Sequence, residues 1–320
     1  MSAGKTLLKA GVGAGAAVLG AGALVYECAL NTKLNGFFVG LFDRRSEGDA
    51  ALAAPDAAED PVAEARRWFD EHVEEDRVIT TPATGRIHAY FIPAEAPSHK
   101  WAVLCHGYNS EPRSTGPFAR HYHALGYNCL SPSLRGWGND ETRYCTMGYH
   151  DKDLCMAWID YIVALDPEAE IVLHGYSMGA VTIMLCTGET LPPQVKAAVE
   201  DCGFSTCWDQ FAAVMKHYAK LPPFPLLYAV NAVSILRGNF DIRKNQPLEA
   251  VKRSVTPTVF LHGTADDFIS IDMMDLLYEA CAAPKAKQAI EGGIHARAVY
   301  KDPEVYWAAV DGFLKDKIKA

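Results

Sequence analysis

From about residue 100 onward, short apolar runs alternate with stretches of helical spacing. Residues 102–105, 171–174, 195–200 and 258–262 are nearly continuous hydrophobic runs, the pattern of strands buried on both faces. Helix-compatible segments such as 180–185 separate them. The alternation predicts an α/β domain: a mostly parallel central sheet with helices on both faces. Ahead of it, 77–81 and 86–93 flank a turn at Thr84-Gly85 and predict an antiparallel lead-in. The alternation breaks between 204 and 250. There Phe204, Trp208, Phe211, Met215 and Tyr218 recur at roughly helical spacing before Leu221-Pro222-Pro223-Phe224-Pro225, which predicts a small helical cap. An aromatic stripe of this kind either packs onto the domain or walls a pocket, and Trp208 and Phe211 are the candidates for the second role.

The first thirty residues follow a different pattern. Lys5 and Lys9 precede an uncharged Gly/Ala-rich run over 10–26, 17 residues long, which stops at Glu27. That is the short limit for a membrane-spanning helix, and its glycines lower both hydrophobicity and helix propensity. A signal anchor, a cleaved signal peptide and a buried helix all fit. No persuasive A-x-A cleavage site precedes the polar region, which favours an uncleaved anchor. Its positive flank would keep the N-terminus in the cytoplasm and place the rest of the chain outside; a cytoplasmic protein is the alternative. Residues 46–66, rich in Ala, Asp and Glu, read as a linker into a first amphipathic helix. The expected organisation is a hydrophobic segment over 1–30, a linker and helix start over 31–66, and one domain over 67–320 with its cap at 204–250.

Composition narrows the function classes. A chain of 320 residues that is 49% hydrophobic can bury a large single core. A formal net charge of -9, with no basic run interleaved with aromatics, argues against a nucleic-acid surface. Nine cysteines is an odd number, and Cys105, Cys129 and Cys186 sit in apolar runs as small core residues, a usage that suits a reducing compartment. The sequence has no CxxC pair, no clustered His/Cys spacing, no Walker loop and no convincing dinucleotide fingerprint, so neither metal nor cofactor is expected.

The chemistry is concentrated in Gly175-Tyr176-Ser177-Met178-Gly179. This G-x-S-x-G pentapeptide lies between an apolar run and a helix-compatible stretch, the setting of a nucleophile elbow, with Ser177 as the nucleophile. A serine hydroxyl is a poor nucleophile at neutral pH and needs an imidazole base oriented by a carboxylate, arriving later in the chain in the order acid, then base. The run 258–262 ends in a loop carrying Asp266 and Asp267; Asp266 is the preferred acid, with Asp267 and Asp201 as competitors. Of eleven histidines, only His295 follows both nucleophile and acid at a strand end, and it is the candidate base. His106, His174 and His262 lie next to glycine at strand ends, where bonding to loop backbone is the simpler role. Charge developing on a carbonyl oxygen is stabilised by fixed backbone N–H groups. The N–H of Met178 and that of Tyr108, at the exit of the run 102–105 and about 70 residues ahead of the elbow, are the candidate oxyanion donors.

With these residues in place, the chain resembles serine hydrolases of the α/β-hydrolase superfamily over roughly residues 78 to 317. More closely, it is similar to a bacterial membrane-anchored branch of the serine aminopeptidase or prolyl-oligopeptidase-like type. The matching stretches are 100–108, 146–148, 174–180, 199–203 and 261–266. Carried over by position, the resemblance implies Ser177, Asp266 and His295 as a triad and Tyr108 and Met178 as oxyanion donors. One departure stands out. Where such hydrolases often read Asp-x-Arg-Gly-His-Gly-x-Ser, this chain has Ser133-Leu134-Arg135-Gly136-Trp137-Gly138-Asn139-Asp140, which makes Trp137 a further candidate for the pocket wall. The implied activity is cleavage of an ester or related acyl bond of a small-molecule substrate, carboxylesterase- or lipase-like. Peptidase or thioesterase activity on the same triad is the alternative, and a membrane-tethered binding protein without turnover is the reading from a different class. Oligomeric state is left open by the sequence.

Overall fold

The computed structural model describes residues 2–35 and 60–319, and within the first helix it describes side chains from Gly13 on. The central part of the expected linker, 36–59, lies outside the described residues. Eight strands form one sheet: β1 (Glu75–Thr81), β2 (Gly85–Ile92), β3 (Lys100–Cys105), β4 (Asn128–Pro132), β5 (Glu170–Tyr176), β6 (Val195–Asp201), β7 (Thr258–Gly263) and β8 (Lys285–Ile290). Their spatial order is β1-β2-β4-β3-β5-β6-β7-β8. β2 runs antiparallel to both β1 and β4, and every pairing from β4 to β8 is parallel. The lead-in hairpin turns at Gly85, whose positive φ of 72° a side chain would strain.

The helices are α1 (Ser2–Leu30), α2 (Pro61–His72), α3 (Gly116–Ala124), α4 (Asp151–Leu165), α5 (Met178–Thr187), α6 (Cys207–Val214), α7 (Leu226–Gly238), α8 (Pro247–Arg253), α9 (Ile271–Ala280), α10 (Ala298–Lys301) and α11 (Pro303–Leu314). Local chemistry sets several of their starts. The side chains of Asp60, Thr206, Ser270 and Asp302 each accept a backbone N–H from the first turn that follows, and Pro61 and Pro303 open their helices where no donor is needed. One apolar layer joins the sheet to α4 and α5 around Leu154, Trp158, Ile159 and Val181; the other joins it to α2, α3 and α11 around Phe69, Phe118, Tyr122, Tyr306 and Val310. Burial on both faces is why the central strands carry continuous hydrophobic runs. Between β6 and β7 the chain leaves the sheet for α6, a π-helical turn at Met215–Ala219, α7 and α8.

α1 has two parts. Gly13, Gly15 and Gly20 have nothing within 4 Å of where a side chain would begin. From Gly22 on, the helix packs into the domain. A Cβ on Gly22 would lie 2.6 Å from that of Ala229 in α7, Glu27 pairs with Arg237 at the other end of α7, and Tyr26 and Leu30 are buried. These two contacts make α1 and α7 run parallel. Beyond α1 the chain stays attached: Thr32 N–H donates to the Arg143 carbonyl at 3.0 Å, Cys145 N–H to the Leu30 carbonyl at 2.8 Å, and Asn31 bridges to Tyr144. The window Gly13–Leu30 has a mean hydropathy of 1.5, long and apolar enough to cross a membrane.

Candidate active site

Ser177 occupies the turn between β5 and α5 with φ 53° and ψ -120°, a backbone conformation that L-residues rarely adopt. Its neighbours enforce the turn. A Cβ on Gly179 would sit 2.0 Å from the Cys105 carbonyl oxygen, and one on Gly175 would sit 2.3 Å from the Gly179 backbone, so only glycine lets β3, β5 and α5 approach this closely. The Ser177 N–H donates to the Asp201 carbonyl at 2.8 Å, tying the turn to β6.

The loops after β7 and β8 meet this serine. Ser177 Oγ lies 2.9 Å from His295 Nε2, and His295 Nδ1 lies 2.7 Å from Asp266 Oδ2. Asp266 is held from both sides: its Oδ1 accepts the N–H groups of Phe268 and Ile269 at 3.0 and 2.8 Å, while Oδ2 also lies 3.2 Å from His262 Nε2. Burial by itself would raise the Asp266 pKa, but the His295 charge and the bonds from both histidines outweigh it and hold the carboxyl well below the usual range. His262 is fully buried. Burial opposes its charge, yet the bond to Asp266 and the nearby Glu200 leave its pKa raised. His262 Nε2 also lies 2.9 Å from the Ile269 carbonyl, the bonding to loop backbone read from the sequence, whereas its place beside Asp266 was not read there.

The competing carboxylates are placed elsewhere. Asp201 is buried beneath the site and accepts from the Tyr306 hydroxyl at 3.0 Å; burial raises its pKa to about 6. Asp267 faces the cavity. His174 is bonded between the hydroxyls of Tyr122 and Tyr306 at 3.1 and 3.0 Å, and burial lowers its pKa to about 3, which keeps it neutral. Cys202, Asp266 and His295 bring potential ligand atoms within 4.8 Å of one another, although the last two are already bonded together.

The loop after β3 supplies the facing wall. Gly107 packs so closely that a Cβ there would meet Tyr176 Cε2 at 2.7 Å and Ser177 Cβ at 3.4 Å. His106 fixes how the loop's peptide planes lie. Its Nε2 accepts the Leu134 N–H at 3.2 Å, so its Nδ1 carries the proton and donates to the Gly107 carbonyl at 2.9 Å. In a trans peptide the carbonyl and the next N–H point in opposite directions. Holding the Gly107 carbonyl therefore aims the Tyr108 N–H away from His106. No hydrogen bond among the described residues takes up this N–H or that of Met178.

A cavity of about 790 Å³ opens over Ser177 and His295. Phe211 lines it together with Met215, Tyr218, Leu227 and Val230, all from the segment between β6 and β7. Trp137 and Trp208 are not among its lining residues, a correction to the sequence expectation. The backbone of Gly136 and Gly138, both at positive φ, turns Trp137 behind the loop after β3, where its ring packs edge-on against Tyr108 at 5.6 Å. Trp208 packs edge-on against Tyr228 within the cap. Sequence reasoning also missed one wall: Val25, Ala29 and Leu30 of α1 line the cavity too. No local signal in residues 1–30 marks them for that role.

Known proteins share this architecture. The Bacillus subtilis (strain 168) protein called uncharacterized protein YqkD is 28% identical over 251 residues, covering 76% of this chain and 80% of that one. Among solved structures, the Pyrococcus furiosus esterase Pf2001 superimposes with a TM-score of 0.63 at 22% identity, covering 78% of this chain and 95% of the esterase. The Pyrococcus horikoshii acylaminoacyl peptidase gives a TM-score of 0.58 at 16% identity over 77% of this chain and 42% of the peptidase. At such identities the two structures establish likeness of fold alone. The match to a family model runs from residue 102 to 309, from β3 through α11, and takes in the elbow and both loops that converge on it; the chain belongs to the alpha/beta hydrolase family.

Proposed function

We propose that this hydrolase is a serine carboxylesterase of lipase-like character, working through a covalent acyl-enzyme. The observation that carries the reading is the continuous line from Ser177 Oγ through His295 to Asp266, at 2.9 and 2.7 Å. In this reading His295 Nε2 takes the Ser177 proton as Oγ attacks the ester carbonyl carbon. The oxyanion that forms is met by the N–H groups of Tyr108 and Met178. As the tetrahedral species collapses, the C–O bond to the alcohol breaks and His295 returns the proton to the leaving oxygen. Water then repeats the sequence on the acyl-enzyme and releases the acid. Asp266, anchored by two backbone N–H groups, keeps the His295 proton on Nδ1 and stabilises the imidazolium. The apolar side chains from cap and α1 favour an acyl chain over a charged substrate. α1, with Lys5 and Lys9 near its start, serves in this reading as an uncleaved anchor whose N-terminus stays in the cytoplasm.

Labelling of the full-length protein by a fluorophosphonate tests the reading, because such probes react with an activated serine. Labelling is expected in the parent protein and lost in both Ser177→Ala and His295→Ala. A folded parent protein that fails to label would favour a binding protein without turnover. A panel of acyl esters, thioesters and aminoacyl amides then separates esterase from thioesterase and peptidase; cleavage confined to amides would overturn the ester assignment.

A further inference from the structure

Resting on the ester-hydrolase reading above, we propose that α1 is a working part of the acyl site and that the substrate is a long-chain acyl ester resident in a membrane. Three observations converge. The first is shared lining: Val25, Ala29 and Leu30 of α1 form the cavity wall together with Leu227 and Val230 of α7. A helix apolar enough to cross a bilayer thus borders the space that holds the acyl group.

The second is depth. The uncharged run of α1 continues to Tyr26, whereas contact with α7 already begins at Gly22. At 1.5 Å per residue, the uncharged part of α1 ahead of Gly22, residues 10–21, is roughly 18 Å long, less than the bilayer's hydrocarbon thickness of about 30 Å, so immersing it draws the segment that packs on α7 down to the interface. If the uncharged run is immersed, the beginning of α7 lies at the bilayer interface with it. Because the two helices run parallel, the N-terminal end of α7 is the end that faces the membrane.

The third is the surface at that end. Phe224 is 70% exposed, Tyr228 53% and Leu24 of α1 66%. Aromatic side chains at an interface are a recurrent feature of membrane contact. Leu221, shortly ahead of Phe224 in the chain, is 45% exposed and also lines the cavity, so one segment joins the cavity's lining to this exposed apolar surface. A lipid would therefore pass from the bilayer into the cavity without its acyl chain crossing water. The occupant of the apolar face is the bilayer itself.

Two measurements on the full-length protein test this. The first, independent of activity, uses Phe224→Trp in phosphatidylcholine vesicles containing brominated acyl chains. Quenching of the added fluorescence is expected at Phe224 and not in Val255→Trp, which marks an exposed position just ahead of β7, at the opposite end of the strands from Ser177. Equal quenching at both positions, or none at either, would overturn the placement. The second compares kcat/KM on 4-nitrophenyl butyrate and palmitate in detergent. A preference for palmitate is expected, and Val25→Phe is expected to lower the palmitate-to-butyrate ratio at least tenfold by shortening the cavity. A preference for butyrate, or a ratio untouched by Val25→Phe, would overturn the α1 wall while fluorophosphonate labelling keeps the hydrolase reading intact. Absence of both labelling and ester hydrolysis would instead sink that underlying reading.

Discussion

The hydroxyl of Tyr108 donates to the backbone carbonyl of Ala29 at 2.5 Å, joining the loop after β3 to the last turn of α1 across 79 residues of sequence. The Asn35 amide reinforces the junction, reaching the same hydroxyl at 3.3 Å and Asn109 Oδ1 at 3.1 Å. The N-terminal helix is thereby tied directly to the loop that carries a proposed oxyanion donor. Tyr108→Phe keeps the ring but removes the donor, leaving the Ala29 carbonyl without that partner. The expected cost is about 1–2 kcal/mol, read as a fall in Tm of a few degrees, with slower fluorophosphonate labelling. Unchanged stability and labelling would mean that the junction holds nothing in place.

Asp266 and Asp267 are adjacent in sequence and opposite in placement. Asp266→Asn removes the acceptor that fixes the His295 proton on Nδ1, and kcat on an ester is expected to fall by about 10⁴-fold. Asp267→Asn, at a residue that faces the cavity without bonding His295, is expected to change kcat by no more than roughly tenfold, the scale of a lost wall contact. Comparable losses in the two variants would show the acid to be misassigned.

Two glycines in helices should respond in opposite ways. Gly179→Ala drives a methyl group into the Cys105 backbone and is expected to prevent folding or cost more than about 4 kcal/mol. Nothing lies within 4 Å of a Cβ built on Gly312 in α11, so Gly312→Ala should stabilise by roughly 0.5–1 kcal/mol through helix propensity. Thermal unfolding of the two variants beside the parent protein gives the comparison.

Glu200 supplies a pH test. Burial raises its pKa from 4.5 to about 8, only partly offset by His262, so the folded protein holds a proton that the unfolded chain releases. That contribution is fully present below pH 4.5 and is lost as pH rises through 8. Glu200→Gln, whose amide oxygen can still accept the Gly203 N–H, should therefore gain stability relative to the parent as pH goes from 5 to 9, by a few kcal/mol in order of magnitude. A Tm difference independent of pH would contradict the buried neutral acid.

The parts of the site legible in the sequence are those whose chemistry fixes a local pattern. The tight turn at Ser177 was legible because the crowding around Gly175 and Gly179 admits no other residue, and the order in which Asp266 and His295 arrive because each sits on a loop at a strand end. Which of Asp266 and Asp267 bonds His295 could be read only from the structure, where the Phe268 and Ile269 N–H groups hold the Asp266 carboxylate. The pocket tryptophans were misplaced for a related reason: helical spacing or a glycine frame shows that a side chain lies on some face, but the turn at Gly136 and Gly138 decides which. The Tyr108–Ala29 bond had no signature at all, because nothing in a Gly/Ala-rich helix records what its carbonyls will meet.

His106 has a kinetic consequence. Burial lowers its pKa to about 4, so it stays neutral, with its proton on Nδ1, throughout the range in which an enzyme of this kind would be assayed. The loop it orients is accordingly insensitive to acidity above about pH 5, and the same burial removes His174 from consideration. An inflection in a pH–rate curve between 5 and 8 would therefore come from neither of these two histidines, which leaves Asp201, raised to about 6, and His262, raised above its ordinary value, among the buried groups at the site. Its loss in a His262→Gln variant, together with its retention in Asp201→Asn, would assign it to His262.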